Sequence, residues 1–437
     1  MATERMEPRI MLNKVTKAFT LWNKFRFLKQ SRREIEALQS KKLSALVAHA
    51  YATVPYWRKF FDKHHLKPAD ISSVRDLHKI PLTSKKDLVG LDHDQITSTH
   101  FDPKALTPIK TSGSTGEPFV FFADPRYQRI VSLDTLRSKM RHGLRPMDRV
   151  LRIGGDVTDL TRPANPFEQM FFRVARLSSF TAPEEILPVY ERFKPHVVWS
   201  FISNLYTLCL WMETRDIRLS WKPRFLLCSM ETVHDFMRRK VEDTFGAKIV
   251  DRYSTAELGV VADECQTRGG YHVYEDSVIG EIIEIGGLPH FVGTNLDNYA
   301  TPFIRYNTRD VCQPWPEMTS VCGCGLTTNK IQTICGRDND FLKSPDGQII
   351  APTRLIYLMR ESYHVVRKFR FVQNSPETVR VTLTMKSKGA PVDFADLAEN
   401  VRRVTGGLAA DIHLADDIAP DPSGKMRIIH YSAGEPE

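Results

Sequence analysis

Residues 110–122 read Lys-Thr-Ser-Gly-Ser-Thr-Gly-Glu-Pro-Phe-Val-Phe-Phe. Thr111, Ser112, Ser114 and Thr115 bring four hydroxyls, while Gly113 and Gly116 let the backbone approach a ligand closely. Hydroxyls and free N–H groups in such a turn can surround phosphate oxygens, so a nucleoside triphosphate is the natural guest. No Gly-Lys-Ser/Thr closes the stretch, so it is not a Walker loop. Taken alone, a solvated Ser/Gly turn is its plainer reading.

Four further segments carry chemistry-bearing residues. Asp251-Arg252-Tyr253-Ser254-Thr255-Ala256-Glu257 follows a short strand and ends in a carboxylate. An aromatic beside a turn can stack on a base, and a nearby Glu can hold Mg²⁺. Arg305-Tyr306-Asn307-Thr308-Arg309-Asp310 ends in an Asp that could accept both hydroxyls of a ribose. Gly336-Arg337-Asp338-Asn339-Asp340 and Ser423-Gly424-Lys425-Met426-Arg427 complete the set. A surface turn explains any one of them about as well; their order and spacing are what is specific.

The cysteines add a separate signal. There are seven, and five of them lie between Cys265 and Cys335. An odd count does not suggest a secreted disulfide framework. Cys265, His272 and the Cys322-Gly-Cys324 pair could form a closed, tetrahedral Cys₃His zinc site, structural because no position is left for water. Buried free thiols beside a surface His are the alternative, and Cys312 and Cys335 are the substitutes should one ligand be misassigned. His64-His65 reads as a polar helix end. No nucleophile elbow, HExxH or GxGxxG is present, which leaves a serine hydrolase, a metalloprotease or a dinucleotide enzyme without support.

These residues need elements to hold them. The spacing of Leu38, Leu43, Leu46 and Val47 predicts a helical stretch over 31–64, interrupted near Pro55. Short helices follow at 71–77 and 84–91, broken by Pro81. Strand-like runs at 119–122, 150–153, 197–202, 224–228, 248–250 and 281–285 alternate with helical runs at 127–142, 184–193 and 233–245. Such alternation argues for an α/β body with covered sheets. Beyond residue 340, strands at 365–372, 379–386 and 426–431 and a helix at 394–404 read as a small α+β unit.

The five motifs, in this order, resemble the adenylate-forming superfamily of acyl-CoA synthetases and peptide-synthetase adenylation domains. The resemblance is to its phenylacetate–CoA ligase-like branch, capsule-biosynthesis relatives included. It runs from about residue 35 to the end and takes in Val54-Pro55-Tyr56-Trp57 and Lys79-Ile80-Pro81-Leu82-Thr83-Ser84-Lys85. The resemblance implies a large multi-sheet N-terminal domain over 1–338, with 1–100 a mainly helical lead-in, and a small mobile lid over 339–437. It implies an AMP-forming ligase that activates an aryl or medium acyl acid with ATP and passes it to a thiol, coenzyme A foremost. A carrier protein or amine acceptor, or a non-catalytic nucleotide-binding relative, are the alternatives. Implied roles are phosphate binding by Thr111, Ser112, Gly113, Ser114, Thr115 and Gly116, and adenine packing by Tyr253 with Ser229, Met230 and Glu231 around the base. Asp251, Ser254 and Thr255 are counted with the nucleotide site. Glu257 would bind Mg²⁺, Asp310 and Arg337 the ribose, and Lys425 the α-phosphate and reacting carboxylate. Three positions depart from the family pattern: Ala256 where Thr or Ser precedes the magnesium Glu, Arg309 where Gly precedes the Asp, and Asn339 at the hinge Asp.

Composition is that of an ordinary globular chain: 437 residues, 42% apolar and 26% charged. Of the formal charge of +9, residues 1–45 hold a net of +7, from eleven Lys/Arg and four Asp/Glu. About +2 is left for the remainder, too little for a broad basic face toward nucleic acid. The basic arm could touch a membrane surface or an acidic partner, but a helix packed on the body with its lysines in water is favoured. No apolar run reaches membrane-span length and the N-terminus lacks a signal-peptide core, so the cytoplasm is expected. The segments 167–180 and 200–211 are expected to line the acid pocket. The oligomeric state is left open, a homodimer included.

Overall fold

The structure is a computed structural model that describes residues 8–111, 119–154, 172–267, 269–314, 321–386, 392–421 and 424–432, with 8–15, 17 and 361 as backbone only. Helix α1 (Pro8–Phe27) is followed by α2 (Arg32–Thr53), which Ser31 and Glu34 start with a capping box. Ile35, Leu43, Leu46, Val47 and Ala50 make its buried stripe. As expected, Pro55 ends this run and opens α3 (Pro55–Lys63), which buries Trp57 and Phe61. Together α2 and α3 form a core with Ile279, Leu296 and Ile304.

The arm departs from the favoured reading in one respect. Lys24 is not in water. It is buried, and its Nζ lies 2.9 Å from a carboxylate oxygen of Asp134 and 2.9 Å from one of Asp276. Arg137 joins both carboxylates, at 2.7 and 3.0 Å, and stacks over Tyr274. The two cations and two anions neutralise one another where water is excluded.

A hairpin of β1 (Thr107–Lys110) and β2 (Val120–Ala123) leads into α4 (Pro125–Arg141), capped by Asp124. The main sheet holds eleven strands among the described residues: β3 (Arg149–Ile153), β4 (Arg173–Leu177), β5 (Val197–Ser200), β6 (Phe225–Ser229), β7 (Lys248–Thr255), β8 (Gly259–Glu264), β9 (Tyr271–Val273), β10 (Val278–Ile285), β11 (Leu288–Asn295), β12 (Tyr306–Pro314) and β13 (Lys330–Arg337). Their order is β10-β11-β12-β13-β9-β8-β7-β6-β5-β3-β4. From β4 to β7 neighbours are parallel, and from β7 to β10 antiparallel. Among the described residues, helices α5 (Pro183–Phe193), α6 (Ile202–Glu213) and α7 (Asp235–Phe245) serve as crossovers of the parallel half. The strand expected to reach residue 202 stops at Ser200, where α6 begins. Leu205, Leu208, Cys209 and Met212 then bury one helical face. An apolar run of this kind has no period that separates strand from helix.

Past β13 the chain makes a small sheet of order β18-β17-β16-β19. Its strands are β16 (Val366–Gln373), β17 (Thr378–Met385), β18 (Ala409–Leu414) and β19 (Ile429–Tyr431), with α8 (Pro352–Leu358) before them and α9 (Phe394–Val404) beside β18. The hairpin β14 (Leu342–Lys343) and β15 (Ile349–Ile350) links this unit to the main sheet. Strand β18 has no counterpart in the sequence reading: its mostly exposed residues carry little apolar signal. Phe236 of α7 packs against Tyr363 and Phe369, so one apolar cluster spans both units. No described helix is long and apolar enough to cross a membrane.

Candidate functional site

Strand β7 is where the sheet changes from parallel to antiparallel. In open α/β sheets ligands gather beyond the carboxyl ends of the parallel strands, and β7 is the last of these. Beyond β7 lies Glu257, and β13 and β12, separated from β7 in the sheet by β8 and β9, carry Arg337 and Asp310, which are register partners. The Tyr253 hydroxyl donates to Asp310 Oδ2 at 2.6 Å, and Arg337 Nε lies 3.5 Å from Oδ1. The Tyr253 ring meets Phe291 edge-on. The Tyr306 hydroxyl donates to Glu257 Oε1 at 3.0 Å, and Asn295 holds the Glu257 carbonyl at 2.8 Å. Burial pushes the Glu257 carboxyl above its usual range, with Tyr306 and Arg337 opposing. A cation beside it would favour the ionised carboxylate, so Glu257 could hold a magnesium ion.

The neighbouring turn explains one family departure and bears on another. Arg309 has φ of 64°, a left-handed backbone in which glycine is at home, and its Nε lies 2.8 Å from Asp338. Thr255 Oγ1 accepts from Leu258 N at 3.0 Å, while Ala256 packs on the adjacent core. Asn339, where the resemblance implies a hinge Asp, is buried, and neither amide atom has a hydrogen-bond partner among the described residues.

Asp251 belongs to a different group. It accepts from Tyr271 at 2.8 Å, and burial with Glu264 nearby pushes it up to about 7. Ser229 accepts from the Trp199 indole at 3.0 Å, and Met230 is exposed with φ of 71°. The Glu231 carboxylate is taken up by Ser203. Ser254 is half-buried at the β7–β8 irregularity. Thr111 closes the β1–β2 hairpin, exchanging bonds with Phe119 at 2.9 and 3.2 Å. Ser112, Gly113, Ser114, Thr115 and Gly116, with Ser423 and residues 167–171 of the expected acid pocket, lie outside the described residues.

From the small unit, the loop before β19 reaches the main sheet. Met426 N donates to Glu231 Oε1 at 2.8 Å, and Lys425 Nζ lies 6.0 Å from the Phe201 ring centre. Burial and the Arg337 charge lower the Lys425 pKa, while Glu231 and Asp421 raise it. Gly424 has φ of 81°, and a Cβ there would fall 2.2 Å from Ser179 Oγ, so a side chain has no room. Ser179 and Ser203 carry no motif in the sequence. Only the fold brings them to residues at 424–426 and 231.

The four metal-ligand candidates converge. Ligand atoms of Cys265, His272, Cys322 and Cys324 lie within 4.8 Å of one another. Cys265 and Cys322 sulfurs are 3.7 Å apart, too far for a disulfide and close to the ~3.8 Å edge of a tetrahedral zinc–thiolate site. Cys324 Sγ is 3.2 Å from His272 Nε2, while His272 Nδ1 faces the Thr328 carbonyl at 3.1 Å. A proton on Nδ1 leaves the Nε2 lone pair toward the sulfurs, the usual orientation of a metal-bound His. Burial and the neighbouring sulfurs push Cys324 up to about 12, a penalty that a divalent cation removes. Cys312 is buried in an apolar core away from this group, and Cys335 is outside it.

A scan against protein-family profiles finds no match. The chain is 25% identical over 359 residues to a phenylacetate–coenzyme A ligase of Thermus thermophilus, covering 78% of each chain. It is 22% identical over 408 residues to the protein CapK of Staphylococcus aureus, covering 89% of this chain and 88% of that one. A 2-hydroxyisobutyryl-CoA ligase, crystallised in the postadenylation state with an acyl-AMP, superposes with a TM-score of 0.76 at 17% identity. That match covers 92% of this chain and 90% of the other, and the fold is the same.

Proposed function

We infer that this chain, an adenylate-forming protein of the phenylacetate–CoA ligase-like branch, is an ATP-dependent, AMP-forming acid–CoA ligase. Carboxylates are poor electrophiles at neutral pH. In the first step the acid's oxygen attacks the α-phosphate of ATP, forming acyl-adenylate and expelling pyrophosphate. In the second, the coenzyme A thiol attacks the acyl carbon and AMP leaves.

The observation that carries this reading is the position of Arg337. Its guanidinium pairs with Asp310, helps to offset the burial of Glu257, and lies close enough to Lys425 to act on its pKa. One cation thus links the Asp310 and Glu257 carboxylates to the Lys425 loop. On this reading Asp310 and Arg337 hold the ribose and Tyr253 flanks the base. The Thr111–Gly116 turn receives the β- and γ-phosphates. Glu257 would hold magnesium, which neutralises phosphate charge when bound. Lys425 meets the charge that builds on the α-phosphate and the attacking carboxylate. Rotation of the unit beyond about residue 338 would withdraw Lys425 for the second step.

The Cys265–His272–Cys322–Cys324 cluster would hold a structural zinc, since four protein ligands leave no position for a substrate. The acid would be an aryl or medium acyl acid, accommodated beside α6, and the reaction would run in the cytoplasm, where ATP and coenzyme A are at hand.

ATP–pyrophosphate exchange across a panel of such acids tests the first step, and AMP release on adding coenzyme A tests the second. Exchange with at least one acid, followed by coenzyme A-dependent thioester, is expected. Exchange followed by AMP release only with a carrier protein or an amine would move the acceptor. ATP binding without exchange for any acid would leave a non-catalytic relative.

A further inference from the structure

Glu231 comes from the large unit, yet it receives the backbone next to Lys425. It stands after Met230 in the turn that leaves β6, facing the N-terminus of α6. Its Oε2 accepts from Ser203 N at 2.9 Å and its Oε1 from the Ser203 hydroxyl at 2.8 Å. Oε1 also accepts from Met426 N at 2.8 Å. The α6 N-terminus has amides without intrahelical partners and a favourable field for an anion, so the carboxylate is anchored on the large-unit side. On the other side of the joint stands the Met426 amide.

The loop that carries this amide is already folded on its own unit. Asp421 N donates to the Lys425 carbonyl at 2.8 Å, Gly424 N to the Asp421 carbonyl at 2.8 Å, and Lys425 N to Asp421 Oδ1 at 3.2 Å. Gly424 lies flat against Ser179, where a Cβ would collide. Asp421, Gly424 and Lys425 thus hold one another, and the Met426 N–H is the group presented to the Glu231 carboxylate.

We propose that Glu231 is the positioning residue for Lys425: by holding the Met426 amide it fixes the backbone from which the lysine reaches the α-phosphate, and breaking this joint frees the loop for the second half-reaction. The inference rests on the AMP-forming reading given above. Rate in the first step depends on placing a cation to within a fraction of an ångström, so a tether one residue from Lys425 acts on that step alone. The charge of Glu231 has a second effect. Burial, Arg337 and Arg427 favour the neutral amine of Lys425, whereas Glu231 and Asp421 favour the ammonium.

The test uses Glu231→Ala and Glu231→Gln in the full chain, with melting curves to confirm folding. Glu231→Ala is expected to slow pyrophosphate exchange at least tenfold, and to slow thioester formation from a supplied acyl-adenylate much less. Glu231→Gln, which keeps an acceptor but not the charge, should lie between and move the alkaline limb of exchange to lower pH. Equal losses in both half-reactions, or no loss in the first, would overturn the proposal. A second readout does not depend on activity: trypsin cleavage of the native protein after Lys425 should accelerate at least fivefold in Glu231→Ala. An unchanged cleavage rate also overturns it. Should the wild-type protein show no exchange with any acid, the ligase reading falls, and the cleavage rates alone decide whether Glu231 holds this loop.

Discussion

On the proposed reading Lys425 and Asp310 would act on the same ATP, and their environments separate what each loss should do. Lys425→Ala removes a preorganised charge without emptying a core, so the fold and ATP binding persist. Adenylation should fall about a hundredfold or more, corresponding to roughly 3 kcal/mol, while thioester formation from a supplied acyl-adenylate suffers far less. Burial lowers the Lys425 pKa from 10.5, so the active ammonium is present below the lowered value and lost as pH rises through it. The alkaline limb of adenylation should therefore lie below that of a free lysine and vanish in Lys425→Ala. Asp310 is held between the Tyr253 hydroxyl and the Arg337 guanidinium. Charge-assisted bonds to a ribose are worth roughly 1.5–3 kcal/mol each. Asp310→Ala should weaken ATP binding at least tenfold, by calorimetry, and leave the ranking of acids unchanged. Normal ATP affinity with an altered ranking would instead put Asp310 in the acyl pocket.

The Cys/His group belongs to the scale of elements. Strand β9 supplies His272, the end of β8 leads to Cys265, and a turn closed by Gly325 N to the Cys322 carbonyl at 2.7 Å supplies the other two sulfurs. Lys330 of β13 pairs in register with His272, so a metal here ties the centre of the antiparallel half together. Metal binding to such a set is coupled to folding. One zinc per chain is expected by elemental analysis of protein purified without chelator. Cys322→Ser should lower both zinc content and melting temperature. Metal-free protein of unchanged melting temperature would refute the assignment.

Across the whole molecule, the basic arm is integral to the body. Lys24 of α1 meets Asp134 of α4 and Asp276 from the turn before β10, and Arg137 closes the square. Lys24→Met leaves two buried carboxylates with one cation between them. Breaking a buried pair from one side costs about 3–5 kcal/mol, which urea unfolding would register as a lower midpoint. A shift of only a few tenths of a kcal/mol would mean that α1 is loosely held, as a surface arm would be.

The chemistry-bearing motifs and the α/β class could be read from the chain alone because they are local. Hydroxyl-rich turns, a carboxylate after a strand and a Cys-x-Cys turn declare themselves within a few residues. Pro55 ends α2 for reasons of its own ring. The tertiary structure decided what depends on distant partners. It selected Cys265, His272, Cys322 and Cys324 over Cys312 and Cys335. It set Asp251 among Tyr271 and Glu264, apart from Asp310. It buried Lys24, whose partners lie 110 and 252 residues away. It gave Arg309 a left-handed backbone, which a bare sequence can present only as a missing glycine. It brought Glu231 to Met426 across 195 residues. A side chain's type determines which bonds it can make, but a bond of about 3 Å needs the whole sheet to bring its two ends together.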